Sequence, residues 1–323
     1  MRKLLVLFCL IAPFTTLAQE TLEQIKEKAL AHSNEGLHNE ALQYYLKVLK
    51  LEPTGSHYGH VGYELMTLNR DDEAKPYLEK ATNMVPNEPV FWIDLALIYS
   101  NKKYYSEALP ILEKGIESNP DSPGLIAAKA KCLFRLNRSE EALPLLNKTL
   151  SSNYFEADLI YTRAQILEDK GELEAAYADY TRGLNSYPEH YGMLAGIAHV
   201  LRKQEKYEEE IIIRKRTLQL FIDKKETQFL SGTHAFLGLA YSNIEDHANA
   251  LLEFDASLKL NPTFGEVFYQ RCLTKIILKD LEGACADLSE AMRLKPTEAT
   301  EMRDSLEENV EFSEFLDFCS PKL

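Results

Sequence analysis

Apolar positions recur along this chain with the period of an α-helix. Between residues 89 and 121, one run is spaced i, i+3, i+4 and i+7, which places it on one helical face: Trp92, Leu95, Ala96 and Tyr99. After a short turn, a second run repeats that spacing: Ala108, Ile111, Leu112 and Gly115. Pro120 then ends the second helix, because proline cannot continue one. The segment predicts two helices joined by a short turn, an αα-hairpin.

The hairpin pattern repeats along the chain. Alanines near the start of each second helix lie 33 or 34 residues apart, except for one interval of 74: Ala41, Ala74, Ala108, Ala142, Ala176, Ala250 and Ala284. A proline follows six of them twelve residues later: Pro53, Pro86, Pro120, Pro188, Pro262 and Pro296. A fixed period of this length is typical of repeat proteins, in which each unit buries its apolar face against its neighbours. We predict eight repeats, beginning near residues 22, 55, 89, 123, 157, 191, 231 and 265.

The repeated residues resemble the tetratricopeptide repeat (TPR). Its small position on the first helix is matched by Ala29, Gly62, Ala96, Ala130, Ala164, Ala198, Gly238 and Cys272. Its larger position on the second helix is matched by Tyr45, Leu78, Leu112, Leu146, Tyr180, Phe254 and Leu288. The resemblance covers residues 22–298. It implies an all-α fold, a right-handed superhelix of about eight helix-turn-helix repeats.

The sixth repeat departs from this pattern. Glu210 stands where the other repeats have alanine, Arg214 occupies the larger position, and no proline closes the repeat. A charged stretch, Asp223–Thr227, follows a long second helix. We therefore predict a TPR array over residues 19–224, an irregular joint, and two last repeats over residues 225–298. Residues 299–323 are predicted to form a capping helix and a tail, because an open solenoid end exposes core.

Residues 1–18 have the features of a signal peptide. A basic start, Arg2 and Lys3, precedes a short apolar run, and Thr16 and Ala18 supply small residues before the cleavage site. The alternative is a buried first helix. The junction and the last repeat resemble those of exported envelope TPR proteins of Bacteroidota. This resemblance implies export to the periplasm or the outer envelope of a Gram-negative bacterium. No stretch is long enough for a membrane-spanning helix, so we expect no direct membrane span.

The net charge of −14 argues against nucleic acid as a partner, because proteins that bind nucleic acid rely on a positive electrostatic field.

Four cysteines follow the predicted signal peptide, too few for a disulfide framework. Cys285 has two candidate disulfide partners, Cys272 and Cys319, and the alternative is that all four thiols are free and buried.

No catalytic motif is present, and we expect no enzyme activity, no cofactor and no metal. His57, His60 and Glu64 share one helical face, which permits a metal site but is more typical of an ordinary polar surface.

The TPR resemblance implies a concave groove lined by the first helices. Carried over to this chain, the groove positions give a candidate binding site with two basic clusters around an acidic one: Tyr63, Lys131, Phe134, Arg135, Tyr161, Gln165, His199, Arg202 and Lys203. Aromatic and arginine side chains are common in binding hot spots. We expect a protein or peptide partner with acidic and apolar features. Alternatively, the basic residues only complement the dipoles of their helices.

The predicted function is therefore an exported, non-catalytic scaffold that binds a partner protein or peptide in its groove. Two alternatives remain open: an accessory protein that binds peptidoglycan or another glycan, and a self-assembling component of a secretion or motility apparatus.

Overall fold

The computed structural model describes residues 20–151, 156–294, 315, 318 and 319. Within these residues the chain is all-α, as predicted, and contains no strand. The chain forms two compact units, Met1–Leu145 and Leu146–Leu323. This boundary lies inside a helix and was not anticipated from the sequence. Within the same residues, no helix combines the length and the apolar character needed to cross a bilayer.

The first unit consists of successive helical hairpins around a shared core. Its helices, of which the last crosses the boundary, are α1 (Leu22–Asn34), α2 (His38–Leu51), α3 (Gly55–Thr67), α4 (Asp71–Met84), α5 (Pro89–Asn101), α6 (Tyr105–Ser118), α7 (Pro123–Arg135) and α8 (Ser139–Ser151). Each hairpin packs on the next through contacts such as α2 with α3 and α4 with α5. Tyr45, Leu65, Leu78 and Leu95 form part of its core.

The second unit continues the same arrangement. Its helices are α9 (Ala157–Asp169), α10 (Leu173–Ser186), α11 (Tyr191–Lys203), α12 (Tyr207–Asp223), α13 (Leu230–Asn243), α14 (His247–Leu260), α15 (Gly265–Ile277) and α16 (Leu281–Leu294). The second helix of the sixth repeat, α12, has 17 residues. A 3₁₀ turn, Thr227–Phe229, follows it at the position of the predicted joint.

The small position of each first helix lies where the two helices of a hairpin are closest. A Cβ atom added to Gly62 would lie 2.6 Å from Leu78, and one added to Gly238 would lie 2.5 Å from Phe254. These distances are too short for carbon atoms, so the hairpins close only around a small side chain. The small and larger positions of the repeat are therefore direct packing partners.

Left-handed residues form the turns between the two helices of a hairpin. They recur with the repeat period, and most are not glycine: Gly36, Asn69, Lys103, Asn137, Gly171, Glu205, Glu245 and Lys279. This conformation ends the first helix of the hairpin. After α5, for example, the backbone amide of Tyr104 donates a hydrogen bond to the carbonyl of Tyr99 at 2.9 Å. Lys225 adopts it after α12 and ends that helix in the same way.

Two arginines join neighbouring repeats of the second unit. Arg163 on α9 forks onto Asp179 of α10, with both nitrogen–oxygen distances 2.6 Å, and also donates to Asn147 of α8 at 3.1 Å. Arg271 on α15 makes the matching contacts: it forks onto Asp287 of α16 at 2.8 and 2.6 Å and reaches Asp255 of α14 at 2.6 Å. Each arginine thus holds its own hairpin together and also bonds to the helix that precedes it.

A disulfide joins Cys285 on α16 to Cys319, across 34 residues. Of the two pairings considered from the sequence, the structure has this one, and Cys272 stays a free, buried thiol. Cys319 and Phe315 are buried in the same cluster as Leu288. The predicted signal peptide lies outside the described residues, as does the predicted capping helix apart from positions 315, 318 and 319.

Candidate functional site

Groove residues of the fifth and sixth repeats line one cavity in the second unit. The cavity has a volume of about 510 Å³ and is walled mainly by the first helices α9, α11 and α13. Four residues proposed from the sequence line it: Tyr161, Gln165, His199 and Arg202. Four of the nine candidate groove residues therefore lie around the same cavity.

Glu168 organises one side of this cavity. Its carboxylate is buried and accepts a hydrogen bond from the Tyr180 hydroxyl at 3.0 Å. His199 bonds to the same carboxylate through Nδ1, and the Lys203 ammonium lies 3.3 Å away. Burial, and next the Glu168 carboxylate, raise the pKa of the Tyr180 hydroxyl, so Tyr180 remains a donor. The predicted basic residues His199 and Lys203 are thus paired with an acid.

Glu210 organises the opposite side. This carboxylate is fully buried and lies 2.6 Å from the Arg214 guanidinium and 2.7 Å from that of Arg202. Both guanidinium groups also stack on the ring of Phe236, at 4.4 and 5.2 Å from its centroid. Burial lowers the pKa of Arg214, the Glu210 carboxylate opposes this shift, and the neighbouring Arg202 acts in the same direction as burial.

Gly196 gives Tyr180 its place in the cavity wall. A Cβ atom at residue 196 would lie 2.4 Å from the tyrosine ring. Only glycine therefore lets the ring lie against α11 and direct its hydroxyl to Glu168.

A second, smaller cavity adjoins the first. Its volume is about 300 Å³, and it shares Ala195, Arg214 and Phe236 with the larger cavity. Its other lining residues include three aromatic ones, Tyr191, Phe221 and Phe229, together with polar residues such as Thr217, Gln228 and Thr233. The three rings pack against one another at centroid distances of 5.0 to 5.9 Å. The two cavities form a continuous surface with a charged end and an apolar end.

The remaining predicted residues belong to the first unit. Tyr63 lies exposed on α3. On α7, Lys131 and Phe134 are partly buried, and the exposed Arg135 guanidinium lies 5.8 Å from the Phe134 ring. These residues lie on first helices, as the groove hypothesis requires, but they do not line the cavities of the second unit.

The residues considered for a metal site have other partners. The Nδ1 atom of His57 lies 2.7 Å from the backbone carbonyl of Glu52. Glu64 is buried and is engaged by Ser33 at 2.6 Å and by His38 at 2.8 Å. His60 stacks on Tyr45. These contacts hold the histidines and the carboxylate as parts of the hairpin packing.

Asp94 on α5 is a buried carboxyl group in the first unit. Among the described residues, its Oδ2 atom has no hydrogen-bond partner. Burial raises the pKa of Asp94 from 3.8 to about 7. The unfolded chain loses this proton near pH 4, whereas the folded protein keeps it until about pH 7. The free energy of unfolding therefore falls as the pH rises between these two values.

Replacing Asp94 with asparagine is expected to remove this pH dependence. Over that interval the wild-type protein should lose up to about 4 kcal/mol of stability from this group, at about 1.4 kcal/mol per pKa unit. Urea unfolding at pH 4.5, 6 and 8 measures the difference. Glu117→Gln, at an exposed position of α6, is the control. Parallel pH profiles for Asp94→Asn and the wild type would contradict the prediction.

Sequence reasoning missed the buried ion pairs of the site. Glu210 and Arg214 were recognised as departures from the repeat, but not as partners four residues apart on one helix face. A glutamate and an arginine at the repeat's alanine and leucine positions are the pattern that indicates such a pair. Tyr180 was recognised only as a packing position of the repeat. Phe236 and Gly196 were not singled out, because each acts through contacts with residues of another helix.

Comparison with known proteins agrees with this architecture. Two family models described as tetratricopeptide repeat match the chain, one over residues 102–166 and the other over residues 27–54, 58–88, 157–190 and 232–264. A segment of 57 residues is 39% identical to protein FlbA of Caulobacter vibrioides. The matched segment covers 18% of this chain and only 10% of the length of FlbA.

Solved structures share the fold. The C-terminal part of a TPR repeat-containing protein from Cytophaga hutchinsonii superposes with a TM-score of 0.60 at 13% identity, over 75% of this chain and 98% of that chain. PilW, described as a type IV pilus biogenesis factor, superposes with a TM-score of 0.56 at 18% identity, over 66% and 96%. At these identities the likeness concerns the fold alone. Because the repeat models match more than half of its residues, the chain belongs to the tetratricopeptide repeat family.

Proposed function

We propose that this protein is an exported, non-catalytic scaffold that binds a protein or peptide partner on the concave face of its first helices. TPR solenoids act as protein–protein interaction scaffolds. The observation that carries the proposal for this chain is the convergence of predicted groove residues from α9 and α11 on one cavity. The partner would be a protein and not nucleic acid, in keeping with the net charge of −14.

Preformed geometry supports binding without large rearrangement. Ion pairs with the buried carboxylates of Glu210 and Glu168 hold the side chains of Arg202 and Lys203. Ring packing holds Tyr191, Phe221 and Phe229. Side chains that are already ordered lose less conformational entropy when a partner binds. The site would therefore present a fixed surface to its ligand.

Two features support export. The first is the signal-peptide pattern of residues 1–18. The second is the disulfide between Cys285 and Cys319, because disulfides persist in oxidising compartments such as the periplasm and are rare in the cytosol. The proposed location is the periplasm or the outer envelope of a Gram-negative bacterium.

Site-specific crosslinking in the native cell tests the proposal. A photoreactive amino acid would replace Tyr161 or His199 in the groove and, as controls, Glu208 or Lys259 on exposed second-helix positions. We expect the groove positions to capture the same few envelope proteins, and the control positions to capture none of them. Equal capture at both sets would contradict binding in the groove.

The same experiment separates the alternatives. Adducts with a second copy of this chain at the groove positions would favour a self-assembling component, for which a pilus or secretion apparatus is the candidate setting. Glycan adducts, with retention on a peptidoglycan column, would favour a wall-binding accessory protein. In that case Tyr63 and Tyr161 are the aromatic residues available to stack on sugar rings.

A further inference from the structure

The charges of the larger cavity are unevenly distributed, with a local excess of positive charge beside Glu210. Two guanidinium groups, those of Arg202 and Arg214, share the single carboxylate of Glu210. The carboxylate of Glu168 on the opposite side is already engaged by His199, Lys203 and Tyr180. The remaining acid of the cavity, Asp169, lies on α9 beside Glu168. Asp169 therefore leaves one negative charge on α9, and one unit of positive charge is left beside Glu210, so that the cavity is neutral as a whole but has two regions of opposite sign.

Arg202 is the arginine of this pair that a ligand can reach, although its guanidinium already donates to Glu210 and, at 3.2 Å, to the backbone carbonyl of Phe236. Its side chain is 23% exposed and lines the larger cavity, whereas Arg214 is more deeply buried behind it. A carboxylate that reached Arg202 would give the two guanidinium groups a second anion. Charge-assisted hydrogen bonds of this kind are among the stronger polar contacts in proteins.

The adjoining cavity offers an apolar binding place next to this charge. Tyr191, Phe221 and Phe229 wall it, and Phe236 separates it from Arg202. A Cβ atom added to Gly232 would meet nothing within 4 Å, so the space beside α13 is open. A bulky apolar side chain entering this space would contact aromatic rings on several sides.

We propose that this double cavity binds an extended segment of a partner protein that carries a carboxylate next to a bulky apolar side chain. The carboxylate lies against Arg202, and the apolar side chain enters the cavity walled by Tyr191, Phe221 and Phe229. The inference rests on the proposed scaffold function and names the chemistry of its partner.

Binding of defined peptides to the full-length protein tests the inference. The probes are four fluorescein-labelled decapeptides with one Gly-Ser frame and a central pair: Glu-Phe, Gln-Phe, Lys-Phe or Glu-Ala. Fluorescence anisotropy should give a dissociation constant below about 1 mM for the Glu-Phe peptide, and at least about tenfold weaker binding for the other three. Added salt should weaken the Glu-Phe peptide most, since its advantage is electrostatic.

Two substitutions at one position provide a matched control. Gly232→Leu places a side chain in the open space of the smaller cavity and should weaken Glu-Phe binding at least about tenfold. Gly232→Ala leaves most of the space free and should bind as the wild type does. Leucine and alanine both have a higher helix propensity than glycine, so α13 should stay folded in each variant.

A third variant tests the charge. Arg202→Gln, with its fold checked by circular dichroism, should abolish the preference for the Glu-Phe peptide over the Gln-Phe peptide.

Four results would overturn the inference. They are no binding of the Glu-Phe peptide below about 1 mM, equal binding of the Glu-Phe and Lys-Phe peptides, full binding by Gly232→Leu, or a dimer of the chain that Gly232→Leu abolishes. The last result would assign the cavity to a second copy. Suppose that residues 161 and 199 still capture a partner in the crosslinking experiment. Any of the first three results would then remove only this inference and would leave the proposed scaffold function in place.

Discussion

Replacing Glu210 with alanine is expected to destabilise the protein by about 3–5 kcal/mol, although alanine is the usual residue at this repeat position. Glu210 is fully buried, and its removal leaves Arg214 buried and Arg202 partly buried without their counter-ion. A buried charge that loses its partner keeps its desolvation penalty but no longer gains the attraction that offset it. Urea unfolding followed by circular dichroism measures the loss.

The double variant Glu210→Ala/Arg214→Leu should recover most of that stability. It restores the alanine and leucine found in other repeats, and apolar residues can replace a buried ion pair without a net loss. Glu209→Ala, at the exposed neighbouring position, is the control and should change the stability by less than about 0.5 kcal/mol. A loss below about 1 kcal/mol for Glu210→Ala, or a double variant no more stable than the single one, would contradict the buried-pair explanation.

Breaking the disulfide between Cys285 and Cys319 should destabilise the last hairpin by about 3–4 kcal/mol. The bridge closes a loop of 34 residues, and the entropy that it removes from the unfolded chain grows slowly with loop length. In a repeat array each hairpin is stabilised by its neighbours, so the effect should be greatest in α15 and α16. Hydrogen exchange of these helices with and without dithiothreitol measures it.

Cysteine variants provide the control for this second prediction. Cys319→Ala should make α15 and α16 exchange faster and should remove the effect of dithiothreitol. Cys272→Ala should keep that effect, because Cys272 is not bridged and alanine is the residue of most repeats at this position. Burial raises the pKa of the Cys272 thiol to about 12, so this thiol should not exchange with the nearby bridge. An effect of dithiothreitol on Cys319→Ala as large as on the wild type would contradict the prediction.

The fold could be predicted from the sequence because every repeat meets the same packing requirement. Gly62 and Gly238 are small because the rings or branches of Leu78 and Phe254 press against their helices. That requirement produces a periodic pattern of small and large residues in the sequence. The hairpin turns produce a weaker pattern, since Lys103 and Glu205 adopt the left-handed conformation without being glycine.

The candidate site could be predicted only in part. Groove positions could be carried over from the family, and four of them line one cavity. The electrostatic pairing could not be foreseen, because Arg202 on α11 meets Glu210 on α12, and Lys203 on α11 meets Glu168 on α9. A count of charges along one helix suggests a basic cluster, whereas the folded protein neutralises most of it with acids from neighbouring helices.

The arginine bridges across repeats have a consequence for how this array comes apart. Arg163 binds a residue of α8, and Arg271 binds a residue of α14, so each spans the seam between two hairpins. Separating the hairpins at those seams means breaking polar bonds as well as apolar contacts. Under mechanical tension, these two seams should therefore resist separation more strongly than a seam held by apolar contacts alone.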